Sequence, residues 1–173
     1  MKPKTVGRVG GAFPQTGRFA PYASRDCGLL KGTTILTLDG EMPIDYVNIG
    51  DKVITRDSGI ARVEHIQRFT RDVHTIALAA GSLGHTRPER DAMLAGDQMC
   101  LIRDWRAKAL FRADRALVAA RTLVDGEFIR DLGVQQQTLI QIFCDGPHIL
   151  YADGLELSTA DGARARGEVL HAA

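Results

Sequence analysis

The chain has 173 residues, 45% of them apolar, 25% charged and 6% aromatic, and its 22 lysines and arginines against 21 acidic residues leave a net charge of +1. That composition implies one soluble domain large enough to bury a core, and excludes wholesale disorder, a collagen-like repeat and a membrane bundle. A charge so near zero gives no basic field to draw in nucleic acid, and three cysteines are too few, and odd in number, for a disulfide scaffold.

Residues 1–27 read as a flexible basic leader, with Lys2, Lys4, Arg8, Arg18 and Arg25 set among Gly and Pro and no apolar run of signal-peptide length. No stretch reaches the ~20 apolar residues of a membrane helix. Thr33 to Leu38 alternates β-branched and apolar residues and meets Asp39-Gly40, a hairpin pair. Asn48-Ile49-Gly50-Asp51 and Asp57-Ser58-Gly59 are turns around Lys52 to Thr55. Ala61 to Phe69, Val73 to Leu78, Met99 to Ile102, Thr138 to Cys144 and His148 to Tyr151 are further strands. In Thr138 to Cys144, Ile140 and Ile142 share a face opposite Leu139 and Phe143, so both faces of that strand are expected to be covered. The best helix candidate is Ala116 to Leu123, before the Asp125-Gly126 turn. Short strands at regular spacing predict an all-β fold, one domain over 28–160, with 161–173 a C-terminal tail.

Phosphate-binding loops, a nucleophile elbow, HExxH and CxxC are all absent, and His65, His74, His85, His148 and His171 show no metal-ligand spacing. No cofactor or metal is therefore expected. Cys100 and Cys144 lie in apolar runs and read as packed thiols. Cys27 precedes the first strand beside Asp26, whose charge is expected to raise its pKa rather than activate it.

Gly28-Leu29-Leu30-Lys31-Gly32-Thr33-Thr34-Ile35-Leu36-Thr37, then Asn48-Ile49-Gly50-Asp51-Lys52-Val53, resembles the opening of a Hint domain, the module shared by inteins and Hedgehog C-terminal regions. His148-Ile149-Leu150-Tyr151-Ala152-Asp153-Gly154-Leu155-Glu156-Leu157 is similar to the family's closing segment. Leu94-Ala95-Gly96-Asp97-Gln98-Met99-Cys100-Leu101 falls where the family has its Thr-x-x-His segment. Within the family, the chain is most similar to a bacterial group found in marine alphaproteobacteria. The resemblance implies a flattened, pseudo-twofold β horseshoe that brings Gly28, Ala95, Gln98, His148 and Ser158 into one cleft. It also implies an ancestral chemistry. A Cys or Ser attacks the preceding carbonyl, while Thr and His polarise that bond and protonate the leaving amine.

Carried over position by position, that equipment is missing. Gly28 stands at the nucleophile's position, Ala95 at the Thr, Gln98 at the His, and Ser158-Thr159 at the closing His-Asn pair. Only His148 of the closing segment remains, and alone it reads as a hydrogen-bonded strand-end histidine. Cys27 lies one residue out of register and is the fallback nucleophile, attacking the Asp26 carbonyl; Ser24 stands further out. The function expected is a catalytically silent module that binds another protein or supports secretion. The alternatives are self-cleavage through Cys27 and a ligand-binding protein or enzyme reusing the cleft. Arg87-Pro88-Glu89-Arg90-Asp91 and Arg103-Asp104-Trp105-Arg106-Ala107-Lys108 are the candidate partner surfaces; otherwise they read as charged loops beside a core-anchoring Trp. Neither nucleic acid nor membrane is expected as a partner, and the cytoplasm is the expected compartment, with non-classical secretion as the alternative.

Overall fold

Short turns set the spacing of the strands. The computed structural model describes residues 27–160, half of them in strands and a tenth in helices, so the chain is all-β. Strands β1 (Leu29–Leu30), β2 (Thr34–Thr37), β3 (Gly40–Pro43), β4 (Lys52–Thr55) and β5 (Gly59–Arg62) follow one another closely. β2 and β3 form a hairpin at Asp39-Gly40. There the Thr37 hydroxyl accepts from the Asp39 N–H (3.2 Å) and donates to the Gly40 carbonyl (2.8 Å).

Two long strands follow, β6 (His65–Leu78) and β10 (Ile129–Phe143), paired antiparallel from Ile129 opposite Leu78 to Phe143 opposite His65. The sequence suggested separate strands ending at Phe69 and starting at Val73. Instead one strand runs through Thr70-Arg71-Asp72, because the ribbon there is largely open to solvent and no apolar alternation is needed to hold it. The same applies to the exposed Arg130 to Gln136 half of β10. Leu139, Ile140, Ile142 and Phe143 are all buried, so both faces of β10 are covered at that end, as their alternation implied.

β7 (Ala92–Ala95) completes a four-stranded sheet in the order β1-β10-β6-β7. β8 (Met99–Ile102), β9 (Ala116–Ala119), β11 (Ile149–Ala152) and β12 (Leu155–Ser158) join the second, eight-stranded sheet, ordered β3-β2-β4-β11-β12-β8-β9 with β5 on β4. The main core draws on both sheets, among others Ile76, Ile129 and Ile140 from the first and Ile35, Leu150 and Leu157 from the second. Each such side chain contributes about 1.5–3 kcal/mol on burial. A smaller cluster of Leu30, Val73, Ala95 and Leu139, flanked by Phe69, packs separately.

The helix expected over Ala116 to Leu123 does not form. Ala116–Ala119 is β9, with Ala116 and Val118 buried and their neighbours half-buried, and Ala120–Leu123 is a single 3-10 turn. The α-helix is α1 (Trp105–Phe111), where Asp104 caps the Arg106 N–H at 3.1 Å and Arg112 closes the end with φ 53°. A cap followed by an unbroken run of helix formers outweighed the apolar stretch, whose alternate residues were needed against β8. Trp105 is no core anchor: it is 68% exposed.

β11 and β12 form a hairpin through Asp153 (φ 48°) and Gly154 (φ 73°), the two positive angles of a type I′ turn. A Cβ on Gly154 would sit 3.0 Å from the Glu89 N–H nitrogen, so the turn and the loop before β7 both require glycine there. Among the described residues no helix is long and apolar enough to cross a membrane.

Candidate functional site

The pairing of β1 with β10 places Cys27, the residue two before β1, against the C-terminal end of β10. Its carbonyl accepts from Gln141 Nε2 at 2.6 Å, and its side chain turns inward, 6% of the residue exposed. Cys27 Sγ donates to Gln98 Oε1 at 3.6 Å. Burial pushes the thiol up to about 12, a backbone contact with Met99 opposes this, and the charge of Asp97 adds to it. Asp26, expected to act on this thiol, and Ser24 lie outside the described residues.

Gln98 sits in the turn between β7 and β8, 1% exposed, with every polar atom engaged. Its Nε2 donates to Ser158 O (2.9 Å) and Met99 O (3.1 Å), while Oε1 takes the thiol. Ser158 Oγ donates to Thr159 O at 2.7 Å, and Thr159 Oγ1 accepts from the His148 N–H at 2.8 Å. Cys27, Gly28, Gln98, Gln141, Ser158 and Thr159 together border a cavity of only about 10 Å³, roughly the room of one water.

Gly28 borders that cavity with its backbone and leaves little room for a side chain. A Cβ there would lie 3.2 Å from Leu139 Cβ and 3.4 Å from Gln141 Cγ, on a backbone at φ +155°. Ala95, fully buried, packs with Leu30, Val73 and Leu139 and brings no polar atom.

His148 shares backbone contacts with Thr159, but its ring lies elsewhere. Nδ1 is 2.7 Å from Asp57 Oδ2 and Nε2 2.7 Å from Asp145 Oδ1. Burial pulls its pKa down, but the hydrogen bonds and charges of Asp145 and Asp57 outweigh this and hold the imidazole above its ordinary value. The structure thus brings Gly28, Gln98 and Ser158 together, joined by Cys27, and turns the His148 ring to a separate carboxylate clamp. Cys100 and Cys144 are buried and, like Cys27, free thiols. Among the described residues no group of three or more His, Cys, Asp or Glu is arranged to hold a metal. Sequence reading did not single out Gln141, Asp57 or Asp145. Asp145, three residues before His148, was within reach of it, but nothing in the sequence links Gln141 or Asp57 to their partners.

The sequence profile of the family described as Hint domain matches residues 27–161. The chain belongs to the Hint domain family. Curated protein sequences give no match. Solved structures similar to this Hint domain include the gp41-1 intein, at 12% identity over 78% of this chain and 98% of that one, with TM-score 0.44. The MchDnaB-1 intein is similar at 10% identity over 77% and 99%, with TM-score 0.49. A bacterial intein-like domain from Clostridium thermocellum is similar at 16% identity over 78% and 98%, with TM-score 0.48.

Proposed function

We propose that this Hint domain keeps a sulfur in the place of the family's nucleophile, at Cys27 rather than Gly28, but has lost self-cleavage and works as a protein-binding module. The observation that carries the reading is the Cys27–Gln98 contact. The side chain that meets the sulfur is an amide, which neither takes nor gives a proton near neutral pH. Attack on the Asp26 carbonyl would form an S–C bond and break the C–N bond, with the thiol proton ending on the leaving nitrogen. Gln98 cannot carry that proton, and Ala95 offers no hydroxyl to polarise the bond. Burial pushes the thiol up to about 12, so it is protonated at neutral pH. The cavity beside the sulfur has no room for a ligand larger than water, which speaks against reuse of the cleft for small molecules.

The binding role rests on α1. Trp105 and Leu110 are 68% and 59% exposed, and the Arg106 guanidinium stacks 5.0 Å from the Trp105 ring centre. Arg106 also donates to Ser82 O at 3.0 Å, tying the helix to the loop before β7. An exposed Trp-Arg pair on a fixed helix is the composition of an interface hot spot. Trp105 is the sole tryptophan, so a partner bound on this face shifts its water-exposed emission to the blue.

A second reading, residual cleavage through Cys27, is favoured by the position of the sulfur beside Gln98. Intact mass after overnight incubation with hydroxylamine or excess thiol decides between the two. The silent module stays whole. A fragment ending at Asp26, abolished by Cys27→Ala, establishes cleavage instead.

A further inference from the structure

On the face formed by β2, the β11–β12 hairpin and the loop before β7 lies an open cleft of about 710 Å³, the size of a small-molecule site. Its floor is Glu156, a carboxylate 3% exposed. Three guanidiniums converge on it. Arg56 Nη1 and Arg103 Nη2 each donate to Oε1 at 2.9 Å, and Arg87 Nη1 stands 3.3 Å from Oε2. One buried negative charge against three positive ones leaves two cationic charges uncompensated at the floor.

Two of these arginines, Arg87 and Arg103, line the cleft, with a quarter and a third of their side chains exposed. Oε2 receives no aligned hydrogen bond; Arg87 Nη1 pairs with it at 3.3 Å, and the rest of that guanidinium makes no hydrogen bond among the described residues. Arg103 has given one donor of five. Arg90 also lines the cleft and makes no hydrogen bond or ion pair among the described residues, its charge acting on nearby Asp153. A floor with a local excess of positive charge and spare, forked N–H donors is matched by a planar or tetrahedral oxyanion. Glu41, Glu89 and Asp153 also line the cleft, so over the whole lining acid and base balance and the positive excess is confined to the floor around Glu156. Those carboxylates repel a long polyanion and admit a compact one.

We propose that this cleft binds a small molecule through a single oxyanion head, phosphoryl or carboxylate, held by Arg87, Arg90 and Arg103 above Glu156. The inference is independent of the reading given for Cys27, whose mass assay it does not affect.

The test is titration of the intact 173-residue chain by calorimetry with inorganic phosphate and, separately, with acetate, against sodium chloride at matched ionic strength. Saturable one-to-one binding of either anion supports the proposal. Tighter phosphate assigns a phosphoryl head, and tighter acetate a carboxylate. A long polyphosphate binds no better than phosphate alone. Arg90→Ala touches no internal bond, so its fold is safe; it weakens binding by about tenfold, the worth of one charge-assisted hydrogen bond. Glu156→Gln keeps the shape, removes the resident negative charge and tightens binding by about tenfold; circular dichroism confirms that it folds, and Arg90→Glu, which reverses the charge and abolishes binding, replaces it if it does not. Absence of saturable binding, or wild-type affinity in Arg90→Ala, overturns the proposal.

Discussion

Replacing Gln98 with leucine asks whether this residue, where the resemblance implies a histidine, is a structural strut. Leucine fills nearly the same volume, so the substitution opens no large cavity, and the amide's hydrogen bonds are what it removes. In the native chain Nε2 reaches Ser158 O at 2.9 Å and Met99 O at 3.1 Å, and Oε1 receives the Cys27 thiol, all in a site 1% exposed. A buried acceptor left without its donor costs about 1–3 kcal/mol. The Ser158 carbonyl is the better placed of the two and the Met99 bond the weaker, so the expected loss is about 3 kcal/mol. For a folded body of this size that is a fall of roughly 10 °C in Tm. Urea unfolding followed by circular dichroism reads the difference directly as a shifted midpoint at unchanged slope. A Gln98→Leu protein within about 0.5 kcal/mol of the parent would show that the amide network carries no weight, and the argument that Gln98 is a strut would fail.

Three further outcomes follow from the geometry. His148 is held above its ordinary pKa between Asp57 and Asp145, so its contribution is complete below about pH 6.5 and is lost as pH rises through the folded value. The Tm of the native chain therefore declines above that point while that of His148→Asn stays flat, and parallel curves in calorimetry would refute the clamp. All three thiols are buried and pushed up to about 12, so Ellman's reagent at pH 8 finds almost no reactive sulfur until guanidinium is added, when it counts three. Gly28→Ala forces a side chain onto φ +155° and to 3.2 Å from Leu139 Cβ; thermal melts record a loss of about 1–3 kcal/mol, and an unchanged Tm contradicts the placement of Gly28 against β10.

The turns were legible because their residues have few other uses: Asp39-Gly40 and Asp57-Ser58-Gly59 punctuate the strands in sequence as they do in space. The two-sided burial of Leu139 to Phe143 was legible for the same local reason. The middle of β6 was not, since Thr70-Arg71-Asp72 is held by pairing with Thr138, Gln137 and Gln136 and not by burial. At the site, that Ala95 and Gln98 carry no ionisable group, where the resemblance implies Thr and His, could be read residue by residue. Which of Cys27 and Gly28 meets Gln98 could not, because a one-residue offset before a two-residue strand leaves no trace in spacing. Glu156 looked like an ordinary acidic residue in a closing strand; its arginines stand 53 to 100 residues away in sequence, a distance no local pattern spans.

The first and last described residues sit on neighbouring positions of one strand. Gln141 holds the Cys27 carbonyl, and the next residue, Ile142, accepts from the Ala160 N–H at 3.1 Å. The backbone therefore leaves the folded body where it entered. Spliced into a surface loop of an unrelated host, residues 27–160 would present both junctions on one patch, so the host could close its own fold around the insertion. The same proximity allows the ends to be tied by a short Gly-Ser bridge and the chain reopened at the solvent-facing Asp131–Val134 bulge. A permuted chain of that kind would keep its core and both sheets while moving its entrance to the far end of the ribbon.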